Sequence, residues 1–169
     1  MSEVTQPMEA RAAARDFESF FRDEYRSLCQ GLFLLVGDRH DAEELAQETM
    51  TRVLERWERV GAMDSPTGYA YRTALNLQRK RIRHLAVRAR RRLAPVPVPD
   101  IAPDADERRD VHRALQALPE GQRTALVLVD WLDMDIEEAG RVLKIKPASV
   151  RVRVHRARTA LREALGETS

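Results

Sequence analysis

Leu93 to Asp106 reads LAPVPVPDIAPDAD and holds Pro95, Pro97, Pro99 and Pro103, half of the eight prolines in the 169-residue chain. Each proline fixes its own φ, lacks an N–H donor and turns the residue before it away from helix, so the segment can be neither helix interior nor central strand. Its composition fits an extended, semi-rigid linker over 93–107, acidic through Asp100, Asp104, Asp106 and Glu107. The chain is thereby divided into two pieces, each near the lower size limit for a self-sufficient core. No segment alternates with period two for long enough to make a strand. The expected fold is all-α: two small helical domains joined by a Pro-rich acidic linker, the second a four-helix domain with a helix-turn-helix. The expected divisions are a tail over 1–16, a first domain over 17–92 and a second over 108–169.

The first piece keeps a helical period through Phe17, Phe21, Tyr25, Leu28, Leu32 and Leu35, which Gly37-Asp38 breaks. Asp38 is a good N-cap for a second helix whose buried stripe is Ala42, Leu45, Thr49, Val53 and Trp57. Gly61 to Asp64 reads as a loop, and Ser65-Pro66 supplies a cap and a first-turn proline for a third, long helix. In the second piece Val111, Leu115 and Leu118 suggest one short helix, and Ala125, Leu126 and Val129 another. Asp135-Ile-Glu-Glu138 is a capping-box pattern, Lys144 to Lys146 a turn, and Pro147 the start of a last helix with Val150, Val154, Ala157, Leu161 and Leu165 inward. Helix, short turn and longer basic helix make a helix-turn-helix.

The formal net charge of +2 conceals an uneven distribution. Residues 72–92 carry +9 and residues 141–162 carry +8, neither window containing an acid, which leaves −15 on the rest. Two basic blocks in an acidic remainder point to polyanion contact at two places. On the last helix Ser149, Arg153 and Arg156 fall on one flank of the core stripe and Arg151, His155, Arg158 and Arg162 on the other. The small residues Ala148, Val152 and Thr159 lie between them. That pattern suits a helix in a major groove, against the plainer reading of a solvated surface helix, which normally mixes signs for i to i+4 pairing. In the long helix Arg72, Asn76, Arg79, Arg83 and Arg90 fall within ~60° on the helical wheel. Tyr69, Tyr71 and Trp57 stand near its start as stacking surfaces for unpaired bases. Core packing of some of these aromatics, and a frayed end in the arginine run, are the alternatives. Asp41, Glu43, Glu44, Gln47 and Glu48 crowd the start of the second helix, more carboxylate than a helix N-terminus needs. They suit either a basic protein partner or a solvated face.

Several classes are excluded. No apolar run approaches the roughly 18 residues of a membrane span, and residues 1–16 lack the apolar core of a secretory signal, so a cytoplasmic location is expected. Cys29 is the only cysteine, and the four histidines show no metal-ligand spacing, so neither a disulfide nor a metal is indicated. No Gly-rich phosphate loop or paired nucleophile motif occurs. No cofactor and no catalytic residue are expected.

The string GDRHDAEELAQETMTRVLERW followed by SPTGYAYRTALNLQRKRIR resembles the polymerase-binding region of bacterial extracytoplasmic-function sigma factors. ALQALPEGQRTALVLVDWLDMDIEEAGRVLKIKPASVRVRVHRARTALREAL is similar to their C-terminal helix-turn-helix domain. The resemblance covers about Phe17 to Leu165. It implies an RNA polymerase subunit for promoter selection. Asp41, Glu44, Gln47 and Glu48 would dock on the clamp helices of the largest polymerase subunit. Arg59, Met63, Asp64, Tyr69, Arg72, Asn76, Arg79 and Arg83 would hold the melted -10 strand. Ser149, Arg151, Val152, Arg153 and Arg156 would read the -35 duplex, and an anti-sigma factor is a further candidate partner. The chain departs from the family pattern at Tyr69-Ala70, where Trp-Leu is usual, and at Lys80, in place of a usual Asp. It departs again at Lys144, where the turn commonly has Gly, and at Lys146, where the cap is usually Ser or Thr. The competing reading is a helix-turn-helix regulator that binds a palindromic operator as a dimer.

Overall fold

The computed structural model describes the backbone of residues 6–92 and 106–166, and every described element is helical. The first group comprises α1 (Gln6–Val36), α2 (Arg39–Leu54), the single turn α3 (Trp57–Val60) and α4 (Pro66–Arg92). The second comprises α5 (Asp106–Ala117), α6 (Glu120–Leu126), which widens into a π-helical turn over Val127–Trp131, α7 (Ile136–Leu143) and α8 (Pro147–Ala164). The expected linker, with Asp100 and Asp104, lies outside the described residues except for its end, where Asp106 opens α5. α1 starts at Gln6, within the segment 1–16 expected as a tail.

Local chemistry sets the ends of these helices. Gly37 adopts φ +85 after α1, a conformation that favours glycine, and a Cβ there would also lie 3.0 Å from the Gln116 side chain. Asp38 then caps α2, its carboxylate accepting from the Asp41 amide at 2.8 Å. Ser65 accepts from the Gly68 amide at 2.9 Å at the start of α4, and Asp135 accepts from the Glu138 amide at 2.7 Å at the start of α7. Between α7 and α8, Lys144 takes a left-handed conformation with φ 56, the place where the family pattern has glycine. Gly140 lets the turn close tightly, because a Cβ on it would meet the Ile145 carbonyl at 3.0 Å.

One apolar cluster runs through both groups. Leu28, Leu32, Leu45, Met50, Tyr71 and Ala74 from the first join Leu115, Leu126, Leu128, Leu143, Val150 and Val154 from the second. A smaller cluster of Val53, Trp57, Val60 and Ala70 fixes the turn α3 against α1 and α4, with Phe17, Phe20 and Tyr69 at its margin. Trp57 was expected at the end of the α2 stripe; it opens α3 instead, because the chain breaks at Glu55-Arg56. The hydroxyl of Thr49, buried in the α2 stripe, is satisfied by the Leu45 carbonyl at 2.7 Å.

α5 closes the exposed end of α1. The last carbonyls of a helix lack intrahelical donors. Gln116 Nε2 donates to the Leu34 carbonyl at 2.9 Å and His112 Nε2 donates to that of Gly37 at 3.2 Å. The His112 ring is buried and stacks on Phe33 with centroids 4.6 Å apart.

Candidate nucleic-acid interface

The rotation of α8 follows from its buried side. Val150, Val154 and Ala157 are buried, whereas Leu161 and Leu165, also expected inward, are half-buried where the helix leaves the core. This turns Ser149, Arg151, Val152 and Arg156 outward, Val152 with 48% of its surface exposed. Arg153 is half-buried, with its guanidinium over Gly121; a Cβ on that glycine would lie 3.0 Å from Nη1. Arg151 pairs with Glu137 at 3.3 Å, and Arg158 grips Asp130 with Nε at 2.9 Å. The outward surface therefore presents Arg156 between the small Ser149 and Val152, with Arg151 and Arg153 braced at its sides. Such a face admits phosphates and base edges at close approach.

On α4, Asn76, Arg79 and Arg83 are exposed and follow one another along the helix, while Arg72 is half-buried. Arg72 Nη2 donates to the Arg141 carbonyl on α7 at 2.9 Å. Arg59, expected in the loop, lies instead in the turn α3 and is exposed, and the loop that follows leaves Asp64 exposed and Met63 half-buried. Of the three aromatics read as stacking surfaces or as core, two are core. Tyr71 is 1% exposed in the main core, and Trp57 is 9% exposed, edge-on to Phe17 at 5.4 Å and tilted on Phe20 at 5.0 Å. Residues two apart on a helix are separated by ~200°, so Tyr69 and Tyr71 cannot share a face. With Tyr71 inside, Tyr69 is the aromatic left at the surface of this helix start.

The acidic face lies along α2, where Asp41, Glu44 and Gln47 are exposed and Glu48 is half-buried. Glu48 is held by Arg52 and Arg81, each at 3.0 Å, and Arg81 also reaches Glu44 at 3.9 Å. Burial pushes the Glu48 carboxyl up, but hydrogen bonds from Arg81 and Arg52 outweigh it and hold it below the ordinary carboxylate range. Arg81 was counted in the basic block. It sits ~180° from Arg72 on the wheel, which was the available signal that it faces α2 rather than the cationic rail. Arg56 was also missed: its Nη1 donates to the Tyr69 hydroxyl at 3.1 Å, across 13 residues of sequence that no helical period links.

The geometry is thus two cationic helices and one acidic face. The model of Sigma-70 region 2 matches residues 20–92, and that of Sigma-70, region 4 matches residues 108–161. The chain is 32% identical over 171 residues to the ECF RNA polymerase sigma factor SigE of Mycolicibacterium smegmatis, covering 94% of this chain and 65% of that one. It is 29% identical to the RNA polymerase sigma-E factor of Streptomyces coelicolor, covering 89% of this chain and 86% of that one. The chain belongs to the sigma-70 family, in its extracytoplasmic-function branch.

In this sigma factor α2 and α4 fall within region 2, and the helix-turn-helix α7–α8, apart from the last three residues of α8, falls within region 4. Its fold is similar to that of the sigma factor RpoE of Bartonella quintana, solved with the anti-sigma factor NepR. The TM-score is 0.79 at 20% identity, covering 90% of this chain and 98% of that one. It is also similar to CnrH, solved with the cytosolic domain of CnrY, with a TM-score of 0.67 at 24% identity over 95% and 96% of the two chains. Sigma factors are initiation subunits without catalysis of their own.

Proposed function

We propose that this sigma factor directs core RNA polymerase to promoters by dividing three contacts among three helices. Asp41, Glu44, Gln47 and Glu48 on α2 dock on the clamp helices of the largest polymerase subunit. Arg59, Met63, Asp64, Tyr69, Arg72, Asn76, Arg79 and Arg83, in α3, in the loop that follows it and along α4, hold the melted -10 strand. Ser149, Arg151, Val152, Arg153 and Arg156 on α8 contact the -35 duplex. On this reading residues 17–92 and 108–169 are the two working domains, and 93–107 links them.

The observation that supports it best is the separation of sign. The outward side of α4 carries arginines and no acid, and that of α8 carries arginines with no acid before Glu163 near its end, whereas α2 presents carboxylates. Phosphate attracts the first two and repels the third. The protein acts in the cytoplasm, where its polymerase is, and no described helix is long and apolar enough to cross a membrane. Footprinting of promoter DNA with the reconstituted holoenzyme tests the assignment. Protection of a -35 block as duplex, with single-strand reactivity at the -10 block, supports it. Duplex protection without any strand opening counts against it.

An anti-sigma factor is proposed as a second partner. A groove of about 410 Å³ is lined by Leu34, Val111, Leu115, Trp131 and Leu161, and also by Arg162 and the Arg158–Asp130 pair. Trp131 is 50% exposed there, a large apolar side chain without an internal role in the core. An apolar helix with acidic flanks fits it, and a Trp131→Ala variant that loses such a partner while keeping polymerase is the expected result.

A further inference from the structure

Arg56 lies in the two-residue break between α2 and α3, with its backbone tied on both sides. Its amide donates to the Val53 carbonyl at 3.1 Å, and its own carbonyl accepts from Arg59 and Val60 at 3.1 and 2.9 Å. The root of the side chain is therefore fixed, and Nη1 reaches the Tyr69 hydroxyl at 3.1 Å. Tyr69 is itself anchored at the first turn of α4, where its amide donates to the Ser65 carbonyl at 3.1 Å and its carbonyl accepts from the Thr73 hydroxyl at 2.9 Å. The ring borders the cluster of Val53, Trp57 and Val60, and the Arg59 guanidinium stands 6.0 Å from its centroid. A phenol held by its hydroxyl at one end and by its backbone at the other has its swing restrained.

We infer that Arg56 is a positioning residue that holds Tyr69 as a preformed stacking shelf for one unpaired base, with Arg59 as the cation beside it. This rests on the reading of Tyr69 as part of the single-strand surface. A stacked base gains affinity from an aromatic face, and a ring fixed beforehand loses less rotamer freedom when the base arrives. The chain has Tyr where the family pattern has Trp, and a bare phenol offers a smaller face. The hydroxyl gives it a handle that an indole lacks at that place, and Arg56 holds it. A guanidinium keeps its charge at every working pH, so the donor is not lost by titration.

The phenols supply a readout independent of DNA. Burial raises Tyr69, but the hydrogen bonds and charges of Arg56 and Arg59 outweigh it and hold the phenol below its ordinary range. Burial pushes Tyr25 and Tyr71 up. Tyr69 is therefore the first of the three tyrosines to ionise in a spectrophotometric titration of the full chain. Arg56→Ala should move that first ionisation upward and weaken binding of a fluorescein-labelled oligothymidylate by about threefold, the size of the rotamer freedom an unheld ring regains. Arg56→Lys, which keeps a charged donor, should recover part of both effects. In a Tyr69→Phe background Arg56→Ala should change binding little. If Tyr69→Ala weakens strand binding while Arg56→Ala alters neither titration nor binding, the positioning role is overturned and the strand surface stands. If Tyr69→Ala leaves strand binding unchanged, both fall.

Discussion

The hydroxyl of Ser65, which caps α4, donates a hydrogen bond to the carboxylate of Glu138 on α7 while accepting from the Gly68 amide at 2.9 Å. One side chain thus starts the basic helix of region 2 and joins it to the first helix of the region 4 helix-turn-helix. Arg72 makes a second link between the same helices through the Arg141 carbonyl, and His112 with Gln116 closes the opposite side on the end of α1.

Ser65→Ala removes both the cap and the link. A lost serine cap costs about 1 kcal/mol, so urea unfolding of this variant should show at least that loss. Glu138→Ala leaves the cap in place and should cost less. An equal loss in the two variants would mean that the link, not the cap, carries the effect.

Lys144 holds the turn of the helix-turn-helix at φ 56. A side chain in this region is strained by about 1–2 kcal/mol, part of which glycine gives back through its freer unfolded chain. Lys144→Gly should therefore stabilise the protein by about 0.5–1 kcal/mol, read as a rise in Tm of roughly 1–4 °C. A fall in Tm would mean that the lysine side chain makes a contact worth more than the strain.

The helices were legible in the sequence because their ends carry local chemistry: Asp38, Ser65-Pro66, Asp135 and Pro147 each act within a few residues of themselves. The widened turn at Val127–Trp131 was not, since Ala125, Leu126 and Val129 keep the same apolar period whether the backbone closes an α or a π turn. The face of α8 was readable from its wheel, and so was the placement of Ser149, Val152 and Arg156 outside it. What escaped were relations between elements. Trp57 already stood in the buried stripe expected for α2, but the burial of Tyr71 depended on the packing of α1 against α4. Arg81 and Arg56 act through partners 33 and 13 residues away, beyond the reach of any helical period.

Glu48 gives a pH dependence whose sign is set by its depressed carboxyl. A group with a folded value below its unfolded one adds stability above the ordinary carboxylate range and loses it as pH falls through the depressed value. Arg81→Ala removes the hydrogen bond and charge that lower it, so the acid limb of the stability profile should become shallower than in the unaltered protein. Unchanged limbs in denaturation series run below neutral pH would remove Glu48–Arg81 from the account.

Arg156 and Arg151 should differ at the -35 duplex. Arg156 is exposed among small neighbours, whereas Arg151 is already paired with Glu137. If it meets a phosphate, Arg156→Ala should weaken duplex binding across sequences and reduce the slope of log affinity against log salt by about one. Arg151→Ala should do less, because binding must first compete with the existing pair. The reverse ranking would turn the reading face by one helical flank.

Run-off transcription with purified core RNA polymerase and the full chain tests the central claim most directly. The account predicts transcripts from defined promoters only when the chain is added, and their loss when Glu44→Ala and Gln47→Ala are combined. A chain that binds duplex DNA yet neither joins core polymerase nor starts transcription at any promoter would contradict it.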